Sequence, residues 1–194
     1  MSILLAALIR GFLVQTYSIP SDSMEPTLSV GDQIVVWRPA YTISGPERGD
    51  IVVFDGRGTF IPDEEVPTGL AALGSEVGSW FGLTNRNAYV VKRVIGVGGD
   101  RITCCTDGGK LVVNGEPLDE PYVQNGDVPS ERDFDVTVPE GRLWLMGDHR
   151  SDSADSRAHL GDPGGGMLPA GRVVGKVTGI VLPPARFGTV KHGS

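Results

Sequence analysis

Two segments far apart in the chain contain the residue types of a nucleophile and its base. Residues 19–28 hold Ser23 between two prolines, and a strand-like run over residues 89–96 contains Lys92. A serine hydroxyl is a poor nucleophile unless an adjacent base takes its proton, and a lysine amine can do this only when burial lowers its pKa. The two segments therefore indicate nucleophilic catalysis by a serine with a lysine as the base.

The identity of the base is not fixed by the pattern alone. The chain has four lysines, and both Lys92 and Lys176 lie in valine-rich, strand-like runs. An arrangement of Ser23 with His149 or His159 and an aspartate is a further possibility. A Gly-x-Ser-x-Gly elbow and a Ser-x-x-Lys pair are both absent from the sequence, which argues against those two kinds of serine enzyme.

A third segment, residues 147–157 (GDHRSDSADSR), is dense in polar groups and follows an apolar run. It is consistent with a solvated loop whose side chains cap the local backbone. It is also consistent with a supporting network, in which a serine hydroxyl bonds the lysine amine and an Asp–Arg pair holds the loop in place.

Short β-strands must position these three segments. Val- and Ile-rich runs alternate with Gly, Pro, Asn and Asp, and Asn114-Gly115 is typical of a two-residue hairpin turn. Such a pattern predicts a mostly β, antiparallel, barrel-like or sandwich fold. The predicted strands are 33–37, 50–54, 88–95, 101–103, 110–113, 134–138, 142–146 and 172–182.

The length of 194 residues fits one catalytic β domain, predicted over residues 17–194. Residues 1–16 form an apolar stretch shorter than the roughly 20 residues that span a bilayer, so we interpret them as the end of a membrane anchor or as an interfacial helix. An ordinary core helix is the alternative. Residues 56–87 break the strand pattern and are predicted to be an inserted excursion, whose Trp80 and Phe81 contact either the membrane or the barrel.

Composition narrows the partners. The net charge of −7 and pI of about 4.9 argue against nucleic acid as the main partner. His149 and His159 lie ten residues apart with no cysteine nearby, so no metal and no cofactor is expected. Cys104 and Cys105 are adjacent, which favours two small apolar residues over a disulfide, with a redox-sensitive vicinal pair as the alternative.

Taken together, the segments resemble bacterial type I signal peptidases, also called leader peptidases. The resemblance rests on four regions in order: residues 21–28 (SDSMEPTL), 49–54 (GDIVVF), 92–100 (KRVIGVGGD) and 147–157. It covers nearly all of the chain outside the insert. His149 is a departure, because the family usually has asparagine at that position, and no catalytic role is expected for it.

The resemblance implies a role for each matched residue. Ser23 would be the nucleophile and Lys92, rather than Lys176, the base, and the Ser21 hydroxyl and the Ser23 amide would form an oxyanion hole. The residues expected to support the site are Asp148, Ser153, Asp155 and Arg157. The residues expected to line shallow substrate pockets are Ile19, Leu28 and Val91.

The resemblance also implies a function. It suggests a membrane-bound endopeptidase that cuts signal peptides from secreted preproteins after a small-x-small (Ala-x-Ala) site, with its catalytic domain on the outer face of the bacterial inner membrane. Secretory preproteins and the lipid bilayer would be its partners. Two rival functions are a self-cleaving repressor peptidase, which the apolar N-terminus disfavours, and an inactive peptide-binding module.

Overall fold

The computed structural model describes residues 13–61 and 88–193. The N-terminal stretch over residues 1–12 and most of the inserted excursion, residues 62–87, therefore lie outside the described residues. Trp80 and Phe81 fall in the second of these ranges. Within the described ranges, no helix combines the length and the hydropathy needed to cross a membrane.

The described residues form a mostly β fold, as the sequence predicts. Twelve strands run β1 Val14–Ser18, β2 Gln33–Trp37, β3 Ile51–Asp55, β4 Tyr89–Val97, β5 Arg101–Cys104, β6 Val112–Val113, β7 Glu116–Pro117, β8 Phe134–Thr137, β9 Arg142–Met146, β10 Leu168–Pro169, β11 Val173–Leu182 and β12 Gly188–Thr189. Short 3-10 helices connect some of them, at Arg38–Tyr41, Arg150–Asp152, Ala170–Arg172 and Pro184–Arg186.

Eight strands form the main sheet, in the order β1-β2-β11-β3-β4-β9-β10 with β12 beside β11. Every pairing in it is antiparallel. Register shifts interrupt three of the pairings, including β4 with β9 between Val94 and Gly96. Irregularities of this kind bend and twist a sheet, which is how the main sheet curls.

A second sheet of four strands, in the order β7-β6-β5-β8, shares a buried core with Ile95 of β4 and with Trp144 and Met146 of β9. Its β6–β7 hairpin turns at Asn114 and Gly115, whose φ angles are 54° and 88°. Positive φ at both central residues is the signature of the type I′ turn, so the predicted hairpin is confirmed.

The strands differ from the predicted ones mainly at their ends. β1 begins at Val14, so the last three residues of the predicted anchor segment lie in a strand that pairs with β2. Only Val14 and Tyr17 of this strand (VQTYS) are largely apolar, so it carries little of the pattern that marks the other strands. Strands β7, β10 and β12 have two residues each, too few to show a period, and β6 is half the length predicted.

The two cysteines require a correction. Cys104 and Cys105 are joined by a disulfide, whereas the sequence favoured two unlinked apolar residues. That expectation assumed a trans peptide, and the peptide between them is cis, with the Cα atoms 3.0 Å apart. The buried position of Cys104 in the core of the second sheet agrees with its apolar character.

Candidate active site

Ser23 lies in the loop that connects β1 to β2. The base of this loop is closed by two backbone hydrogen bonds, from Ile19 N–H to the Asp32 carbonyl and from Gly31 N–H to the Ile19 carbonyl. Met24 and Leu28 are fully buried in the core of the main sheet. The loop is thus anchored on both sides of Ser23, which limits how far its hydroxyl can move.

Lys92 projects from β4 and is 3% exposed. Its Nζ lies 2.5 Å from Ser23 Oγ, so a hydrogen bond joins residues that are 69 positions apart. Burial lowers the pKa of the Lys92 amine to about 8, although Asp155 and Asp148 act in the opposite direction. An amine with that pKa is partly neutral near pH 8 and can accept a proton from the hydroxyl.

Lys176, the competing lysine of the sequence, lies elsewhere. It pairs with Asp50, which also accepts a hydrogen bond of 2.9 Å from the Tyr41 hydroxyl. His149 and His159 are not among the hydrogen-bond partners of the Ser23 hydroxyl, which are Lys92 and, at 3.4 Å, Ser21. The geometry therefore brings Lys92 to the serine and leaves the alternatives apart.

The 147–157 loop packs directly against the serine loop. The backbone N–H of His149 donates to the Ser23 carbonyl at 3.2 Å. A side chain at Gly147 would collide with that same carbonyl, so the two loops approach as closely as glycine allows. Asp155 accepts hydrogen bonds from the Gly147 N–H at 3.0 Å and from the Arg157 guanidinium at 2.7 and 2.9 Å, so the Asp–Arg brace expected from the sequence is present.

Ser153 behaves differently from the expectation. Its Oγ is buried and has no hydrogen-bond partner, so the expected bond to the Lys92 amine is not formed in this structure. The side chain does lie in the site, since a Cβ at Gly147 would meet both Ser153 Oγ and the Ser23 carbonyl.

Asp148 forms a buried network whose other members the sequence did not indicate. Its carboxylate accepts hydrogen bonds from Arg93 Nε at 2.8 Å, from Arg93 Nη2 at 2.6 Å and from the Thr27 hydroxyl at 2.5 Å. The Arg93 guanidinium lies 3.8 Å from the centre of the Tyr122 ring. Arg93 and Asp148 are both fully buried, and together with Thr27 they tie the serine loop, β4 and the 147–157 loop to one another.

A second buried ion pair joins the same loop to the segment before β8. The Arg150 guanidinium contacts the Glu120 carboxylate at 2.5 Å and donates through Nε to the Gly147 carbonyl at 2.9 Å. Both arginines of the loop, Arg150 and Arg157, also donate to the Pro129 carbonyl at 3.3 Å. The sequence shows two arginines in this short polar segment. Nothing in the sequence marks Glu120, which lies between strands, as the partner of Arg150.

The three residues expected to line substrate pockets lie close together but differ in access. Ile19 and Leu28 belong to the core of the main sheet, at 4% and 0% exposure. Val91 is partly exposed and packs against that core from β4. Of the three, Val91 is the one with side-chain surface open to solvent, and the pocket-lining role of all three stays a prediction.

One group of side chains has the composition of metal ligands. Ligand atoms of Asp22, His149 and Asp152 lie within 4.8 Å of one another, beside the serine loop. The sequence had considered His149 with His159 instead, but His159 contacts Asp162 at 2.7 Å and the ring of Phe60. Asp22 and His149 are partly exposed and Asp152 is exposed, and the Ser23–Lys92 contact involves none of them.

A serine hydroxyl in contact with a buried lysine amine, held in a mostly antiparallel β fold, has the layout of a serine hydrolase that uses lysine in place of histidine. Comparisons with known proteins identify the family. The family model described as "Signal peptidase, peptidase S26" matches residues 1–182.

Named relatives agree with the family model. A probable signal peptidase I of Mycobacterium leprae (strain TN) is 39% identical over 92% of this chain and 72% of its own length. The signal peptidase I of Mycobacterium tuberculosis (strain CDC 1551 / Oshkosh) is 39% identical over 93% of this chain and 69% of its own length. A crystal structure of a signal peptidase I from Enterococcus faecalis V583 aligns with a TM-score of 0.45 and 25% identity, over 70% of this chain and 99% of that one. The chain belongs to the signal peptidase family S26 and is a serine peptidase.

Proposed function

We propose that this chain is a membrane-bound serine endopeptidase that removes signal peptides from secretory preproteins, with Ser23 as nucleophile and Lys92 as general base. The observation that carries the proposal is the 2.5 Å contact between Ser23 Oγ and the amine of Lys92, a residue only 3% exposed, in a member of the signal peptidase family. Burial is what makes the lysine a base, because it penalises the charged amine and lowers its pKa to about 8.

The reaction is an acyl transfer in two stages. Ser23 Oγ attacks the scissile carbonyl carbon while Lys92 Nζ takes the hydroxyl proton, and the C–N bond then breaks as that proton passes to the leaving amine. Water next attacks the acyl-enzyme, again with Lys92 as base, and releases the carboxylate of the signal peptide and free Ser23. Each cycle returns the lysine to its neutral state.

Two donors are suited to stabilise the oxyanion that forms in each stage. The Ser21 hydroxyl lies 3.4 Å from Ser23 Oγ and is exposed on the outer side of the loop. The Ser23 backbone N–H lies in the same turn. Fixed donors aimed at a developing negative charge supply a large share of the rate enhancement in acyl transfer. Asp148, Ser153, Asp155 and Arg157 would support the site through the loop contacts described above.

The substrate strand is proposed to bind between two free strand edges. Among the described residues, β1 pairs only with β2, and residues 89–92 of β4 pair only with β3, because β9 joins β4 from Arg93 onward. An extended peptide can add to such an edge through main-chain hydrogen bonds while pockets select alternate side chains. The buried Ile19 and Leu28 with the partly exposed Val91 favour small residues at those positions, as in Ala-x-Ala.

Membrane association and location extend the same proposal. The largely apolar residues 1–12 come shortly before β1 in the sequence. We propose that they hold the catalytic domain at the outer face of the bacterial inner membrane, where preproteins emerge with their signal peptides still in the lipid. Placement at a bilayer would bring the cleavage site to the enzyme.

The test is cleavage of a peptide ending its signal segment in Ala-x-Ala, in detergent, from pH 6 to 10. We expect Ser23→Ala and Lys92→Met to lose at least about a thousandfold in kcat/KM, since nucleophile and base act as a unit. The rate of the parent chain should rise with pH and level off above a midpoint near 8, because Lys92 is active only when deprotonated. Cleavage by Ser23→Ala, or binding by the parent without cleavage, would instead favour a peptide-binding module.

A further inference from the structure

Tyr17 has a hydroxyl group that the catalytic mechanism does not use. Tyr17 is the penultimate residue of β1, and its side chain packs against the core that includes Ile19, as Val91 does. Its ring meets the ring of Tyr89, the first residue of β4, edge to face, with centroids 5.4 Å apart and planes at 73°. The two tyrosines therefore touch across the space between the free edges of β1 and β4.

The hydroxyl of Tyr17 is buried and has no hydrogen-bond partner. Buried polar atoms are nearly always paired, so an unpaired one in a folded protein calls for an explanation. Burial, with a smaller contribution from Tyr89, raises the pKa of Tyr17 to about 12, and the phenol therefore stays protonated at any working pH. It is a buried hydrogen-bond donor next to the strand edge of β1, where a peptide strand would pair.

Among the described residues, Tyr89 is the aromatic neighbour whose movement would uncover Tyr17. Tyr89 is 39% exposed at the surface, and its ring is the aromatic contact of Tyr17. Rotation of an exposed side chain needs no change in the backbone. The ring of Tyr17, in contrast, is held by the core around Ile19.

Resting on the proposed function, we propose that the Tyr17 hydroxyl donates a hydrogen bond to a backbone carbonyl of the bound signal peptide, and that the Tyr89 ring rotates to admit it. A backbone carbonyl is the matching acceptor because it is present whatever the sequence, whereas small apolar side chains offer none. Tyr17 is thus a substrate-positioning residue on the signal-peptide side of the scissile bond. The bond gives affinity without selecting a side chain, which suits an enzyme that cuts many preproteins.

Tyr17→Phe removes the hydroxyl and leaves the ring. We expect KM to rise about five- to tenfold with kcat within twofold, the size of one net hydrogen bond. Thermal stability should stay equal or increase, because the variant no longer buries an unpaired polar atom. Tyr41→Phe is the matched control: its hydroxyl is bonded to Asp50 at 2.9 Å, so this variant should lose stability and keep the parent KM.

Two further measurements locate the bond and separate this inference from the peptidase proposal. Substrates with a single ester in place of one amide weaken one carbonyl acceptor at a time. For one of the ester positions upstream of the cleavage site, the KM of the parent should rise while the KM of Tyr17→Phe stays unchanged. Peptide affinity measured in the Ser23→Ala background, with and without Tyr17→Phe, tests binding without turnover.

The outcomes are distinct. A loss of affinity on adding Tyr17→Phe to Ser23→Ala supports the inference even if the parent fails to cleave, in which case only the peptidase proposal falls. An unchanged KM and affinity in Tyr17→Phe, or a loss of stability that points to an internal partner such as bound water, overturns the inference while cleavage by the parent still supports the peptidase.

Discussion

Lys92 and Arg93 are neighbours on β4 and both are buried, but their side chains have opposite kinds of partner. Arg93 has a bidentate carboxylate partner in Asp148, a second acceptor in the Gly49 carbonyl at 2.9 Å and an aromatic ring beside it. Lys92 has a serine hydroxyl as its hydrogen-bond partner and is absent from the ion pairs of the described residues. Successive residues of a strand point to opposite sides, so one strand can serve both environments.

The difference shows what each cation is for. A buried charge that is fully paired stays charged and holds its partners in place, whereas a buried amine without a paired carboxylate gives up its proton more easily. Asp148 and Asp155 still act on Lys92 by raising its pKa, but burial outweighs them. The loop that carries both aspartates thus stabilises the architecture through Arg93 and leaves Lys92 reactive.

The largest effect is expected from unpairing Arg93. Arg93→Met would leave the Asp148 carboxylate buried with the Thr27 hydroxyl as its side-chain partner, and we expect the free energy of unfolding to fall by about 3–5 kcal/mol. Chemical denaturation measures this directly. The double variant Arg93→Met/Asp148→Leu removes both charges and leaves no unpaired carboxylate. It should therefore be less destabilised than Arg93→Met alone. A single variant as stable as the parent would mean that the network does not hold the three segments together.

Lys92→Met should change the free energy of unfolding in the opposite direction, by increasing it. With a pKa of about 8 in the fold and 10.5 as the reference, the charged lysine destabilises the folded state by on the order of 3 kcal/mol below pH 8. This penalty diminishes from pH 8 to 10.5, where the unfolded chain releases its proton as well. We therefore expect the inactive variant to be more stable than the parent at pH 7 and the gap to close by pH 10.5. Parallel stability curves across that range would contradict the burial argument.

The residue pattern and the family resemblance indicated different parts of the proposed site. The local pattern marked Ser23 between prolines, but it left Lys92 and Lys176 equal as candidate bases, and the resemblance to signal peptidases favoured Lys92. Nothing local marked Arg93 as the partner of Asp148, because the two are 55 residues apart and the register of β4 with β9 brings them together. The antiparallel β class could be predicted from the pattern of short Val- and Ile-rich runs separated by turn residues, because this pattern is local.

Other features depended on geometry that no local pattern encodes. The pairing of Arg150 with Glu120 joins two irregular segments, and the Cys104–Cys105 disulfide required a peptide conformation that sequence reasoning does not assume. The partnerless Ser153 and Tyr17 hydroxyls are visible only once burial is known. All of these follow from how loops pack, which sequence periodicity does not report.

Lys176 supplies the smallest effect and the sharpest control for the comparison. Unlike Lys92, it has an ion-pair partner, Asp50, but its side chain is 30% exposed. Without Lys176, Asp50 would retain the Tyr41 hydroxyl and the Glu47 N–H as hydrogen-bond donors. We expect Lys176→Met to lower the free energy of unfolding by on the order of 1 kcal/mol and to leave kcat/KM within twofold, since partly exposed pairs contribute little. Side-by-side denaturation and cleavage assays with Lys92→Met measure both quantities. If Lys176→Met were instead to abolish cleavage while keeping its fold, the assignment of the base to Lys92 would fail, because activity would then depend on a lysine that is ion-paired rather than buried beside the serine.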